Sequence, residues 1–341
     1  MDYALLGPTG IRVSRLCVGT ATFGVAPRAA DAAGLVRGAL DHGINFFDTA
    51  NAYGNRPQFD RPGVPPWTER ESAEEILGRA LAGRRDEVVL ATKARESVGP
   101  GVNDRGLSRR HLIQQLERSL RRLRTDHVDL YYAHHPDPDT PLEQTLATLD
   151  DLVRQGKVRH AALSTYPAWE TVQALWICSA RNLHGPVCAQ VRYNLFDRTP
   201  ETELVPACLR LGLSLVAFSP LSGGLLAGAR GREYSGELRW GGGGFSPEHL
   251  ATAERLDSLG AEWGHPPAHL ALAWLLSRPA VASAVIGPED LAELTTSVAA
   301  ADLRLEPAQL DALTAVPSYP RTAQSLLRLR TGEGRPQEVE R

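Results

Sequence analysis

The stretch Ile44-Asn45-Phe46-Phe47-Asp48-Thr49-Ala50-Asn51-Ala52-Tyr53-Gly54 decides the fold that this sequence indicates. Its apolar start, rich in Ile and Phe, is typical of a buried strand. Asp48 stands where the apolar run stops, and Tyr53 and Gly54 follow in a predicted loop. Taken alone, the pattern also fits an Asp that caps the next turn and a Tyr that packs on the surface. The rest of the chain decides between these two interpretations.

Strand-like and helix-like segments alternate along the chain. Predicted strands lie near residues 16–20, 44–48, 88–93, 128–134, 159–164, 187–191, 214–219 and 281–286. Helical periodicity is found at residues 31–42, 71–83, 108–123, 141–155, 169–180, 201–211, near 247–277, and at 289–300 and 307–315. Eight strands separated by helices predict an α/β fold, the closed (β/α)8 TIM barrel. An open, doubly wound sheet is the alternative, but residues 18–24 lack the G-x-G-x-x-G fingerprint of that fold.

An N-terminal β-hairpin and two long loops are predicted in addition. Apolar runs at residues 3–6 and 11–13 flank the turn Gly7-Pro8-Thr9-Gly10. Residues 55–70 and 227–246 exceed the usual loop length, and both contain aromatic side chains. We therefore expect both long loops to pack across a bound ligand at the C-terminal face of the barrel. We therefore expect residues 1–320 to form a single barrel domain and residues 321–341 a polar tail. Residues 55–70 are expected to form one wall of the substrate pocket.

The composition is that of an ordinary globular protein. The 341 residues are 43% hydrophobic and 23% charged, with a net charge of −3, and Lys and Arg are spread evenly. No nucleic-acid partner is therefore expected. The chain shows neither the apolar core of a signal peptide nor an apolar run of membrane-spanning length, so we expect a cytoplasmic protein. The cysteines lack C-x-x-C spacing, and reduced, buried thiols are expected for Cys17, Cys178, Cys188 and Cys208.

Four residues with acid–base chemistry follow the ends of neighbouring predicted strands. Asp48 ends the second strand and Tyr53 follows it, Lys93 ends the third strand, and His134 ends the fourth. In a (β/α)8 barrel these ends meet at the rim where active sites lie. An ammonium beside a phenol is expected to lower the pKa of the phenol, while a carboxylate holds the ammonium charged and in place. Such a tyrosine can donate a proton to a carbonyl oxygen, and a histidine can orient that carbonyl.

A second histidine, His135, follows His134. Because side chains alternate along a strand, only one of the two can face the barrel mouth, and we expect His135 to point outward. The sequence contains no H-x-H at the end of the first strand, no H-E-x-x-H and no cysteine cluster. It therefore predicts no metal site.

The chain resembles the aldo-keto reductases, including bacterial members and potassium-channel β subunits, from about residue 3 to about residue 315. The motifs that carry the resemblance are Asp48-Thr49-Ala50 with Tyr53-Gly54, Ala91-Thr92-Lys93, Asp129-Leu130-Tyr131-Tyr132 with His134, and Gly156-Lys157-Val158-Arg159. The resemblance implies a barrel that binds a nicotinamide cofactor without a Rossmann domain. It also implies that Asp48, Tyr53, Lys93 and His134 are catalytic, with Tyr53 as the acid/base, Lys93 and Asp48 as the pair that tunes it, and His134 as the orienting group.

The same resemblance implies the cofactor contacts. Ser164 and Thr165 stand where the family has a Ser-Asn pair that, with Gln190, holds the nicotinamide carboxamide. Phe218 takes the place of an aromatic residue, more often Tyr, that stacks on the nicotinamide, and stacking needs only the π face. Ser219, Leu221 and Gly223 match the segment that, in the family, passes the pyrophosphate of the cofactor. The remaining residues assigned to the cofactor site are Gly19, Thr20 and Glu293.

The segment after the eighth strand departs from the family's pattern. The family usually places basic residues there to hold the 2′-phosphate of NADPH, but residues 287–301 contain no Lys or Arg. Glu289 and Asp290 suit the positive end of a helix but repel a phosphate. Two other groups could hold the 2′-phosphate in place of those basic residues. One is an arginine from the second long loop (Arg230, Arg232 or Arg239), and the other is the N-terminus of the helix itself. We expect NADP(H) as the first choice by resemblance, with NAD(H) also accepted.

Two functions fit these features. The first is NAD(P)H-dependent reduction of an aldehyde or ketone to an alcohol, with Tyr53 as the proton donor. The second is a cofactor-binding regulatory subunit with little or no turnover, as potassium-channel β subunits are by resemblance. The expected partner is a small-molecule carbonyl substrate, and the sequence does not define which one. The sequence is also compatible with a homo-oligomer.

Overall fold

The structure, a computed structural model, describes residues 1–229, 231, 232 and 245–319. Within them the strands are β1 Tyr3–Leu5, β2 Arg12–Ser14, β3 Leu16–Gly19, β4 Phe46–Asp48, β5 Val89–Ala94, β6 Val128–Ala133, β7 Val158–Ser164, β8 Cys188–Arg192, β9 Ser214–Phe218 and β10 Val281–Ile286. The helices in the same residues are α1 Ala32–Asp41, α2 Ala73–Ala80, α3 Arg109–Leu123, α4 Leu142–Arg154, α5 Ala168–Arg181, α6 Leu204–Leu211, α7 Pro247–Trp263, α8 Pro267–Leu276, α9 Leu291–Asp302 and α10 Pro307–Thr314.

Strands β3 to β10 close into a parallel barrel. Each strand pairs with its successor in the chain, and β10 pairs with β3 to close the ring. Parallel strands need cover on both faces, which explains their nearly continuous apolar sequences. The predicted (β/α)8 barrel is confirmed, and the doubly wound alternative is wrong.

The predicted N-terminal hairpin is also present. β1 and β2 pair antiparallel, with Ala4 opposite Val13. Leu6 and Val13 are fully buried and belong to the same apolar cluster as Cys17 of β3. The backbone N–H of Gly7 donates to Ser214 Oγ at 2.7 Å, at the start of β9. The hairpin thus closes the N-terminal end of the barrel and leaves the opposite end for the site.

The strand register brings the predicted site residues to one rim. Asp48, the last residue of β4, lies opposite Gly19 of β3 and Ala91 of β5. Lys93 lies opposite Tyr132 of β6. A Cβ on Gly19 would stand 2.7 Å from Val285 Cγ1, so only glycine fits between β3 and β10 at this level. The carboxyl ends of β3 to β6 therefore converge as the alternating sequence pattern predicted.

Differences from the predicted elements are confined to their ends. Predicted helix 71–83 begins instead at Ala73, because Ser72 and Glu75 form a capping box that satisfies the first N–H groups. The four cysteines are buried thiols without disulfides, as expected. The division into a barrel domain, residues 1–320, and a tail, residues 321–341, stays a prediction, since the tail lies outside the described residues. Most of the predicted loop 227–246, namely residues 230 and 233–244, lies outside them as well.

Candidate active site

A buried ion pair forms the floor of the site. Lys93 Nζ contacts Asp48 Oδ1, and the two side chains are 0% and 3% exposed. Lys93 Nζ also donates to the backbone carbonyl of Thr49 at 3.0 Å. Burial is the largest influence and lowers the pKa of Lys93, but the charge of Asp48 and the contacts with Asp48 and Tyr53 together outweigh burial and raise that pKa. The ammonium is therefore charged at neutral pH although water hardly reaches it.

The turn after β4 holds Tyr53 over this pair. The Tyr53 N–H donates to the carbonyl of Ala50 at 3.2 Å, and the Tyr53 carbonyl accepts from Ala73 N at 3.0 Å, at the start of α2. Gly54 has a φ of +86°, and a Cβ there would stand 2.7 Å from Ala73 N. Glycine is required at this position because a side chain would be strained and would clash.

An arginine fixes the same turn from the long loop. Arg70 donates to the Gly54 carbonyl at 3.0 Å, to the Arg56 carbonyl at 2.8 Å and to Asp60 Oδ1 at 2.6 Å. Its side chain is 2% exposed. Phe59 of the same loop is also buried, whereas Trp67 is 41% exposed. Residues 55–70 are thus tied to the Tyr53 turn, and their role as a wall of the substrate pocket stays a prediction.

The Tyr53 hydroxyl lies between an ammonium and an imidazole. It is 3.4 Å from Lys93 Nζ and 3.3 Å from His134 Nε2. Lys93 lowers the pKa of Tyr53 as expected, but the expected net lowering is wrong for this structure, in which that pKa lies above its ordinary value. Burial is the largest cause and raises the pKa, Lys93 lowers it, and Asp48 raises it again. Tyr53 is therefore a neutral phenol that carries its proton at physiological pH.

His134 is a neutral imidazole at the same rim. Its pKa lies well below the ordinary value, because the ring is buried and because His135 and Lys93 are close. His134 Nδ1 is buried without a hydrogen-bond partner. A proton on Nδ1 would be a buried donor without an acceptor, whereas a proton on Nε2 faces the Tyr53 hydroxyl at 3.3 Å. The proton is therefore placed on Nε2, which faces Tyr53 and can donate to an oxygen held there.

The expectation that His135 points outward is wrong. Its ring stacks on that of His134, with centroids 4.8 Å apart and an interplanar angle of 25°. His135 Nδ1 lies 2.9 Å from Glu96 Oε1. β6 ends at Ala133, so the alternation of side chains along a strand does not extend to residues 134 and 135. Burial would raise the pKa of Glu96, but the hydrogen bond from His135 and the nearby positive charges lower it instead.

Glu96, His134 and His135 also form a group whose ligand atoms lie within 4.8 Å of one another. A metal ion binds imidazole along the lone pair in the ring plane. The two rings are stacked at an interplanar angle of 25°, so their in-plane lone pairs do not converge on one ion between them. This arrangement favours a hydrogen-bonded group over a metal centre.

Ser164, Thr165 and Gln190 lie together at the ends of β7 and β8. Ser164 Oγ and Thr165 Oγ1 are 3.4 Å apart, and Thr165 N donates to the Gln190 carbonyl at 2.9 Å. Thr165 has a left-handed φ of 62°, which asparagine adopts far more readily than a β-branched residue. The Gln190 amide donates to Asp48 Oδ2 at 2.8 Å, a contact that the sequence did not indicate. Its amide oxygen is the end that remains for a carboxamide.

The other predicted cofactor residues lie along the same rim. Phe218 ends β9 with its side chain partly exposed, and Ser219, Leu221 and Gly223 follow it. Thr20 donates through its backbone N–H and its hydroxyl to the Asp48 carbonyl, at 2.9 and 3.1 Å. Gly19 and Thr20 thus lie beside the floor of the site. Glu293 is distant from these residues in the sequence. It lies in the first turn of α9, the helix that follows β10, and β10 is the barrel neighbour of β3.

One contact at the mouth was not predicted. Arg61, from the loop after β4, forms two hydrogen bonds with Glu289, after β10: Nη1 to Oε2 at 3.1 Å and Nη2 to Oε1 at 3.0 Å. Both side chains are 8% exposed. A pairing across 228 residues leaves no local sequence pattern. Glu96 was also missed, although its position two residues after β5 could have been found by the same strand-end rule that selected Lys93.

Among the residues that the structure describes, no helix combines the length and the apolar character needed to cross a bilayer.

Comparison with known proteins gives consistent results. Residues 15–317 match the sequence profile of the Aldo/keto reductase family. The chain is 38% identical over 314 residues to an uncharacterized oxidoreductase, YrpG, of Bacillus subtilis (strain 168), covering 90% of this chain and 93% of that protein. It is 33% identical over 333 residues to a probable voltage-gated potassium channel subunit beta of Oryza sativa subsp. japonica, covering 93% and 96%. It is 30% identical over 317 residues to L-glyceraldehyde 3-phosphate reductase of Escherichia coli (strain K12), covering 88% and 87%.

Proposed function

Because this chain belongs to the aldo/keto reductase family, we propose that it is an NAD(P)H-dependent oxidoreductase that reduces an aldehyde or ketone to an alcohol, with Tyr53 as the proton donor. One observation carries the proposal: the Tyr53 hydroxyl lies within 3.4 Å of both Lys93 Nζ and His134 Nε2 at the open end of the barrel. Proton donors for a developing alkoxide need this combination of a positioned acid and a stabilising charge.

The residues present fit a nicotinamide. Two hydroxyls and an amide, from Ser164, Thr165 and Gln190, lie where they can hydrogen-bond a carboxamide, and Phe218 offers an aromatic face at the neighbouring strand end. When bound, the reduced nicotinamide supplies a hydride to the carbonyl carbon of the substrate. The resemblance places NADP(H) first and accepts NAD(H).

Each residue of the cluster has a separate task in the proposed reaction. His134 donates from Nε2 to the substrate carbonyl oxygen and orients it beside Tyr53. Tyr53 transfers its hydroxyl proton to that oxygen as the oxygen gains charge, and becomes a phenolate. Lys93 stabilises the phenolate, and Asp48 keeps Lys93 charged and in place. A proton from solvent then restores the phenol, so the protons balance.

A second function is favoured by a specific observation, the 33% identity to a probable potassium channel β subunit. In that case the chain binds the cofactor and regulates a partner with little or no turnover. The geometry of the four side chains serves both functions, so only turnover separates them.

The test is a panel of carbonyl substrates with the full chain and either NADH or NADPH, followed by loss of absorbance of the reduced cofactor. The panel includes sugar-like ketones, aromatic aldehydes, small 2-oxo compounds and, because of the relative in Escherichia coli, glyceraldehyde 3-phosphate. We expect turnover of at least one compound. Tight cofactor binding with no turnover across the panel would favour the regulatory function.

We also propose that the chain is cytoplasmic, that it has no nucleic-acid or membrane partner, and that it can form a homo-oligomer. Sedimentation of the purified chain measures the last of these.

A further inference from the structure

The segment after β10 shows how this chain selects its dinucleotide, an inference that rests on the proposed function. In (β/α)8 barrels the loops after the last two strands and a following helix N-terminus frequently bind phosphate. Here that helix is α9, and its N-terminus lies at the same end of the barrel as Tyr53. A phosphate would need free N–H donors or a cation at this place.

Two N–H groups around this helix start are occupied by carboxylates of the same segment. The Glu293 N–H donates to Asp290 Oδ1 at 2.8 Å, and the Glu289 N–H donates to Glu293 Oε2 at 3.0 Å. These carboxylates satisfy the positive end of the helix. A phosphate at this helix N-terminus would have to displace these carboxylates from the two N–H groups or lie beside them, and their charges would repel it.

Arg61 meets this segment, but as the partner of Glu289. The two hydrogen bonds of 3.0 and 3.1 Å form a bidentate pair, the strongest arrangement of guanidinium and carboxylate. With both side chains 8% exposed, the pair holds the Glu289 carboxylate in one position. A phosphate dianion could use Arg61 only by displacing Glu289, which would leave that carboxylate beside the dianion.

Of the arginines proposed from the second long loop, only Arg232 lies in the part of the chain that the structure describes. Arg232 forms an ion pair with Asp257 of α7, with Nη1 at 3.2 Å from Oδ1. Arg230 and Arg239 lie outside the described residues.

We infer that this chain selects NAD(H) over NADP(H), with Glu289 as the selecting residue and Arg61 as the residue that positions it. A carboxylate has about four acceptor sites, so Glu289 can accept a hydrogen bond from the ribose 2′-hydroxyl while Arg61 remains paired with it. In Rossmann-type dinucleotide sites an acidic residue that binds the ribose 2′-hydroxyl selects NAD, and Glu289 offers the same chemistry here. The same carboxylate repels the 2′-phosphate of NADP(H).

Equilibrium binding of NAD+ and NADP+ to the full chain, measured by isothermal titration calorimetry without substrate, tests the inference. We expect the wild-type chain to bind NAD+ at least about tenfold more tightly than NADP+. Glu289→Gln keeps the shape of the side chain but removes its negative charge, so NADP+ should bind this variant about tenfold or more tightly than it binds the wild type. The matched control is Glu87→Gln, since Glu87 also forms two hydrogen bonds with an arginine, Arg84, but is 50% exposed and precedes β5, at the opposite end of the barrel. It should leave both affinities within about twofold.

Arg61 variants supply a readout that a purely structural role would not give. Arg61→Gln leaves Glu289 charged without its bidentate partner, so NAD+ should bind several-fold more weakly, NADP+ should weaken further, and the preference for NAD+ should rise. Arg61→Lys keeps the charge without the bidentate geometry and should recover part of the NAD+ affinity. Glu289→Gln and Arg61→Gln should thus move the preference in opposite directions, whereas general damage to the fold would weaken both cofactors equally. Thermal melts verify that each variant is folded.

Tighter binding of NADP+ by the wild type would overturn the inference, and so would a Glu289→Gln variant with an unchanged preference. Either result would leave the proposed function standing, because a dinucleotide is bound. Binding of neither dinucleotide would overturn the proposed function and the inference with it.

Discussion

The Asp48–Lys93 pair and the Arg61–Glu289 pair are both buried ion pairs at the mouth of one barrel, but they are anchored differently. Asp48 and Lys93 lie on adjacent strands, β4 and β5, whose register fixes their separation. Arg61 lies in a long loop, and Glu289 lies between a strand and a helix. Chemistry that tolerates little displacement is thus built on strand ends, while selection between similar ligands is left to loops, which vary more easily. Substitutions in the first pair should affect the reaction with either cofactor, and those in the second should change the ratio between cofactors.

The largest expected effect separates the reaction from cofactor binding. Tyr53→Phe removes the proton donor and keeps the ring, so kcat for carbonyl reduction should fall by about 10²- to 10⁴-fold. Cofactor affinity, measured by calorimetry, should change by less than about threefold. Tyr131→Phe is the matched control, because the Tyr131 hydroxyl donates to the Leu112 carbonyl of α3, at 3.0 Å and away from the mouth. Retention of most activity by Tyr53→Phe would show that another group donates the proton.

The second prediction compares how much each of the two ion pairs contributes to the free energy of unfolding. Lys93→Met leaves Asp48 charged with no ammonium in a site that water hardly reaches, which should cost about 3–5 kcal/mol of unfolding free energy. Arg61→Met should cost about 1–3 kcal/mol, because Glu289 lies nearer to solvent. Urea unfolding measures both values. The double variant Asp48→Asn with Lys93→Met should recover part of the loss, since neither charge is then left alone. Equal losses for Lys93→Met and Arg61→Met would remove the distinction between the two regions.

A smaller effect is expected at Thr165, where the site departs from the family's usual asparagine. Its left-handed φ of 62° strains a β-branched residue by about 1 kcal/mol. Thr165→Asn should therefore raise the unfolding free energy by about that amount and, through its longer amide, strengthen cofactor binding. Thr165→Gly separates the two effects, since it relieves the strain and offers no side chain to the cofactor. A destabilised Thr165→Asn variant would mean that the hydroxyl contact with Ser164 outweighs the strain.

The smallest expected change is in the pH profile. The protonated Tyr53 is the proton donor, and its pKa lies above the ordinary value, so deprotonation begins only at high pH. The pKa of His134 lies well below the ordinary value, so that ring is neutral throughout the same range. kcat/KM for reduction should therefore stay constant between about pH 7 and about pH 9. A decline with a midpoint in that range would show that Lys93 lowers the pKa of Tyr53 once the cofactor is bound, as the sequence argument expected.

The barrel and the four strand-end side chains were predictable because both follow from local patterns. Short apolar runs separated by helical periodicity define the order of strands, and closure of eight parallel strands then brings their carboxyl ends to one rim. Asp48 and Lys93 follow from this rule alone. Ser164, Thr165 and Gln190 were predicted as cofactor residues only from the family resemblance. Hydroxyl and amide side chains near strand ends are common in barrels and do not by themselves indicate such a role.

The errors in the prediction came from groups whose environment is built by distant parts of the chain. His135 was assigned by strand alternation, but β6 ends one residue before His134 and the two rings stack. The direction of the Tyr53 pKa shift depended on how deeply the phenol is buried, and burial outweighs Lys93.

The sequence by itself determined the (β/α)8 barrel, the family, and the presence of Asp48, Tyr53, Lys93 and His134 on one rim, because hydrophobic periodicity and strand ends are local properties. Only the tertiary structure decided that Tyr53 is a neutral phenol, that Gln190 donates to Asp48, and that Arg61 holds Glu289 at the start of α9. The physical reason is that desolvation and ion pairing depend on which atoms surround a group. For Arg61 and Glu289 those atoms come from residues 228 positions apart.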